Sequence, residues 1–104
     1  MSLFFDITHT LTHALTSLGS LKEMTGSARE ALVMYQTALP QCEAHEDHST
    51  AFTCRVGIGN CYKAMGQLQK AIDVLTLELE FARLQKDEIG EAIGKTRGGD
   101  STAA

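Results

Sequence analysis

The chain has 104 residues, 43% of them apolar and 21% charged, with a formal net charge of −4. That allows one small domain with a core and little spare stability, and excludes a large multidomain machine. No basic run or basic–aromatic interleaving marks a nucleic-acid surface, and the mild acidity disfavours anionic membranes.

At the start, Met1-Ser2-Leu3-Phe4-Phe5-Asp6 carries no basic segment, and Asp6 and His9 interrupt its apolar run. Neither a signal peptide nor a membrane span is expected. Apolar periodicity predicts a first helix from about Asp6 to Met24, ended by a turn at Thr25-Gly26-Ser27. Ser27 is a favourable N-cap, and Glu30 three residues later completes a capping box for a second helix from Ala28 to about Glu43. Pro40 removes the bond to the carbonyl of Gln36, which predicts a kink or an early end. The polar stretch His45-Glu46-Asp47-His48-Ser49 reads as a loop.

A third helix is predicted over Ser49 to Met65, with Phe52, Val56 and Tyr62 near one face, and Gly66 ends it. From Leu68 to Gln85 the stripe Leu68, Ala71, Ile72, Leu75, Leu79 and Ala82 predicts an amphipathic helix. Its acidic residues Asp73, Glu78 and Glu80 fall largely outside that stripe. Lys86-Asp87-Glu88 reads as a further turn, Ile89, Ala92 and Ile93 as the start of a partial helix over 88–97, and 98–104 as a flexible tail.

The chain also repeats itself. Gly19, Gly59 and Gly99 lie 40 residues apart, and the same offset pairs Gly26 with Gly66, Ala31 with Ala71, Leu39 with Leu79 and Asp47 with Asp87. A fixed period of this size signals stacked supersecondary units. The expected architecture is all-α, antiparallel helix pairs stacked as a short superhelix: repeat one about 8–47, repeat two about 48–87, and the whole domain 6–97.

Gly59, Tyr62, Gly66, Ala71 and Leu75 in repeat two, with Gly19, Gly26, Ala31 and Tyr35 in repeat one, resemble the glycine–aromatic–glycine signature of tetratricopeptide repeats. The longer period, with Gly59-Asn60-Cys61-Tyr62 followed by Gly66-Gln67-Leu68-Gln69-Lys70-Ala71-Ile72, is similar to the repeats of Pins-type spindle-orientation adaptors. Kinesin light chains and bacterial Rap-type regulators are looser relatives by the same pattern. Repeat one departs at Lys22, which stands in the slot of Tyr62.

This resemblance implies a noncatalytic protein–protein interaction module in which the first helix of each pair lines a concave groove for a partner peptide. Carried over by position, the groove residues are Thr53, Val56, Asn60 and Lys63 in repeat two, and His13, Thr16, Ser20 and Glu23 in repeat one. An Asn60 amide donates to and accepts from a peptide backbone, and Lys63 meets a carboxylate as a point charge. No cofactor is implied. Two other readings compete: self-association through exposed repeat ends, and a zinc or redox-sensing protein using Cys42, His45, His48 and Cys54.

Those residues offer ligand types that zinc favours, but no finger spacing or Cys-x-x-Cys occurs, so a polar turn with packing cysteines is the plainer expectation. Three cysteines without a framework spacing suit reduced thiols and a cytoplasmic setting. Cys61 reads as core, since a nucleophile would need an oriented histidine. His9 and His13, at i and i+4, share a helix face but lack a third ligand in the sequence pattern, so they read as surface histidines. Gly57-Ile58-Gly59 lies inside a helix with no preceding strand, which rules out a phosphate loop, and Glu78 and Glu80 point different ways on theirs.

Overall fold

A computed structural model describes residues 3–96. They form four helices: α1 (Leu3–Met24), α2 (Ala28–Ala44), α3 (His48–Ala64) and α4 (Leu68–Thr96). Each helix packs against its chain neighbour and α1 also touches α3, so two antiparallel pairs, α1–α2 and α3–α4, stack in sequence order. With extents of 49 × 41 × 19 Å the assembly is a slab about two helices thick.

The connections follow from single residues. Gly26 (φ 86°) and Gly66 (φ 80°) take the left-handed conformation that closes α1 and α3, which only glycine adopts without cost. After α2 the same role falls to Glu46 (φ 56°), a residue for which that conformation is strained. Asp47 then caps α3, its Oδ1 accepting from the Thr50 backbone N–H at 3.2 Å. Ser27 precedes α2 but makes no side-chain cap bond, so the expected capping box is not formed. Glu30 instead pairs with Lys22 at 2.7 Å. Forty residues on, the same two positions hold Tyr62 and Lys70, whose ammonium stands 5.5 Å from the ring centroid. An ion pair in repeat one thus replaces a cation–π contact in repeat two, which resolves the Lys22 departure.

Three other expectations are corrected. α2 does not end at Pro40 but continues to Ala44; Pro40 is exposed, so its ring meets solvent. The buried face of α3 is Ala51, Cys54, Ile58 and Cys61, with Phe52 43% exposed and Val56 and Tyr62 only half-buried. α3 is flanked on both sides, so its small residues go inward where two helices approach. Finally, α4 runs unbroken to Thr96, in place of a turn at Lys86-Asp87-Glu88 and a separate helix over 88–97. The stretch Leu84-Gln85-Lys86 contains good helix formers and no glycine to take the left-handed stop. Gly99 and the tail expected at 98–104 lie outside the described residues.

The core centres on α2 and α3: Ala31, Tyr35, Ala38, Cys42, Ala51, Cys54, Ile58 and Cys61 are buried together. Tyr35 is the largest of them and is 1% exposed. Its ring is held between two glycines. A Cβ on Gly19 would stand 3.0 Å from Tyr35 Cε1, and one on Gly57 would stand 2.5 Å from Cε2. Gly57 therefore serves packing, letting α3 close over the tyrosine of the preceding repeat. Gly59 performs the corresponding task within repeat two, where a Cβ would meet Leu75 Cγ at 2.7 Å.

Burial also fixes the response to alkali. Desolvation pushes the Cys42 thiol up to about 12 and the Cys61 thiol up to about 11, and desolvation together with the Glu23 hydrogen bond pushes Tyr35 up to about 12. The unfolded chain releases these protons first, so stability is complete below about pH 9 and falls as pH rises toward 12. Thermal melts between pH 7 and 11 are expected to hold level to about pH 9 and then decline. A midpoint that stays level across that alkaline range would contradict the burial of these groups.

Candidate functional site

The residues expected to line a groove sit on α1 and α3, the first helix of each pair. Thr53, Val56, Asn60 and Lys63 recur at spacings of three and four, so they form one stripe of α3. Val56 and Asn60 are half-buried, while Thr53 and Lys63 are exposed. Thr53 Oγ1 donates to the Ser49 carbonyl at 3.2 Å. On α1, Ser20 and Glu23 are half-buried and already engaged. The Tyr35 hydroxyl donates to Glu23 Oε1 at 2.6 Å and lies 3.2 Å from Ser20 Oγ. The core tyrosine thus reaches through the interhelical gap and orders two candidate groove residues. Only the second carboxylate oxygen of Glu23 is left by that bond for another donor.

Thr16 and His13 divide differently. Thr16 Oγ1 donates to the Thr12 carbonyl at 2.8 Å and stands 3.8 Å from Cys54 Sγ, so it packs toward α3. His13 is exposed beside His9, their ring centroids 4.5 Å apart in an edge-on arrangement. Asp47 reaches this pair: the ligand atoms of His9, His13 and Asp47 lie within 4.8 Å of one another. The third ligand missing from the local pattern around His9 and His13 comes from the α2–α3 turn. By contrast, Cys42 and Cys54 are buried in the core, and neither they, His45 nor His48 belongs to a ligand cluster found among the described residues.

A second concavity lies between the N-terminal half of α3 and α4. Glu43, Phe52, Thr53, Arg55, Glu78 and Phe81 line a cavity of about 510 Å³. Glu78 was expected on a solvated face but is buried at 8% exposure. Arg55 accounts for the reversal: it donates to Glu43 Oε2 at 2.9 Å and approaches Glu78 Oε1 at 3.6 Å. At the equivalent positions, 40 residues earlier, repeat one has Leu15 and Ala38, both in or against the core. Repeat two therefore carries an ion pair where repeat one is apolar. Glu78 Oε1 makes no hydrogen bond. Removing its cation is costly, whereas removing the acid is not. Arg55→Ala is expected to lower stability by roughly 1–3 kcal/mol in urea unfolding, and Glu78→Leu to be neutral or stabilising. Equal losses in the two variants would show that the pair acts otherwise.

Comparison with known proteins gives one match. A family model described as tetratricopeptide repeat matches residues 10–83, which takes in most of α1 and all of α2 and α3. No curated protein and no solved structure matches the chain. No helix among the described residues is long and apolar enough to cross a membrane.

Proposed function

Because the chain belongs to the tetratricopeptide repeat family, whose members typically bind proteins and do not catalyse reactions, we propose that it is a noncatalytic adaptor that holds a partner peptide against α1 and α3. The supporting observation is the half-buried stripe of α3, Val56 and Asn60 flanked by exposed Thr53 and Lys63, beside Ser20 and Glu23 fixed by Tyr35. Asn60 reads the peptide backbone through its amide, and Lys63 receives an acidic group. The 40-residue period places the module with the Pins-type adaptors and kinesin light chains within the family, in a cytoplasmic scaffold role. Repeat one then spans about 8–47 and repeat two about 48–87.

Peptides selected from a displayed library by the intact protein supply the test. Asn60→Ala with Lys63→Ala is expected to weaken their binding at least about tenfold, as loss of a central contact does, with helicity unchanged. Undiminished binding would move the site elsewhere.

A second reading rests on exposed apolar residues of α4. Leu68, Ile72 and Leu79 are 59%, 56% and 59% exposed. Such a stripe supports self-association. Light scattering on a sizing column distinguishes the two: a monomer at high concentration removes this reading and leaves the groove intact.

A further inference from the structure

We propose that His9, His13 and Asp47 form a binding site for a divalent transition-metal ion of the zinc class, clamping α1 to the turn between the two repeats. The inference stands apart from the peptide groove. His9 and His13 occupy successive turns of one helix face, a spacing that lets two imidazoles reach one ion. Asp47 arrives from 34 residues further along the chain, held in place as the cap of α3. Its Oδ1 takes the Thr50 N–H, and a carboxylate has further acceptor capacity for a cation. Hydrogen bonds from Thr50 hold this carboxyl below the usual carboxylate range, and His13 and His9 act in the same direction, so the ligand is anionic at neutral pH.

The donor set is two imidazole nitrogens and one carboxylate oxygen. Imidazole suits zinc, copper and nickel, whereas calcium and magnesium prefer oxygen alone. Ligand atoms around a tetrahedral zinc stand about 3.3 Å apart, given metal–ligand distances near 2.0–2.1 Å. The three atoms, within 4.8 Å of one another, reach that spacing by side-chain rotation. His9 and His13 are exposed, so such rotation displaces no core atom. Three protein ligands leave a fourth position for water. An ion here joins the first helix of repeat one to the start of repeat two, which at present meet through Thr16 and Cys54 and across Tyr35.

The experiment is calorimetric titration of the intact, reduced protein with zinc chloride, paired with thermal melts and a cobalt(II) absorption spectrum. One ion per chain is expected, and zinc at about 100 times its dissociation constant favours the folded state about 100-fold, raising Tm on the order of 10 °C. His9→Ala and His13→Ala are exposed changes that leave the fold intact and should abolish the rise. Asp47→Asn keeps a good helix cap and should reduce affinity by more than the roughly 10–100-fold that an outer-shell loss costs. Cobalt bound at this site gives a spectrum without thiolate charge transfer. Absence of heat and of a Tm shift, a shift that survives the histidine changes, or a cobalt–thiolate band would each overturn the site.

Discussion

Tyr35→Ala is expected to lower stability by about 3–5 kcal/mol, the cost of emptying a large aromatic site in a packed interior. A small domain has on the order of 5–15 kcal/mol in total, so the variant should be largely unfolded in mild urea. Position explains the size of the effect. The ring is 1% exposed and touches both repeats, closed on one side by Gly19 and on the other by Gly57. Its removal leaves α1 and α3 facing each other across a void that neither glycine can fill. Tyr35→Phe keeps the ring and loses the bonds to Glu23 and Ser20. Its cost should be roughly 1–2 kcal/mol, because half-buried Glu23 regains water when its donor goes. Equal losses in the two variants would mean that the hydroxyl, and not the ring, holds the repeats together. Urea unfolding followed by far-ultraviolet dichroism measures both.

Gly57→Ala should destabilise although alanine is the better helix former. A helical Gly→Ala change gains about 1 kcal/mol from propensity. Against this, the new Cβ would stand 2.5 Å from two atoms of the Tyr35 ring, a separation that requires movement. The ring cannot retreat, since Gly19 lies against its far face. Overpacking of this kind costs typically 1–3 kcal/mol, so the sum is unfavourable, and Gly57→Leu should prevent stacking altogether. Gly19→Ala, with its nearest approach at 3.0 Å, should fall closer to neutral. Gly26→Ala provides a contrast of different origin. There the space is open and the loss of about 1 kcal/mol comes from the positive φ alone. A Gly57→Ala protein that melts above the parent would show that the ring is not clamped.

The residues that define the architecture act locally, and they are visible in the chain. Gly26 and Gly66 stop their helices through their own backbone angles, and Asp47 caps α3 through a hydrogen bond three residues away. The repeat offset carries the pairing of helices, because each 40-residue unit repeats the same stops. Features that depend on contacts between units are not visible in this way. Gly57 reads as an ordinary helical glycine until Tyr35 of the previous repeat is placed against it. Glu78 belongs to a polar face by periodicity, yet Arg55 from another helix draws it inward. The third partner of His9 and His13 lies in the next repeat's cap, so no spacing rule along one helix finds it. Pro40 and the length of α4 were misread for a related reason. Local propensity gives where a helix can stop, and packing decides whether stopping there is rewarded.

The candidate groove is legible only as positions on two helices. Its spacing is periodic, but the engagement of Ser20 and Glu23 by Tyr35 depends on the stacked arrangement. That engagement has a consequence for binding. Ser20 and Glu23 are preordered, which lowers the entropy cost of docking a peptide against them. Tyr35→Phe should therefore weaken peptide binding as well as the fold.

Chemical-shift mapping by nuclear magnetic resonance, during titration with a selected peptide, tests the binding surface most directly. The account predicts perturbations concentrated at Thr53, Val56, Asn60 and Lys63 on α3 and at Ser20 and Glu23 on α1. Perturbations confined to the α3–α4 cavity around Phe52 and Phe81, with the α1–α3 stripe unmoved, would contradict it.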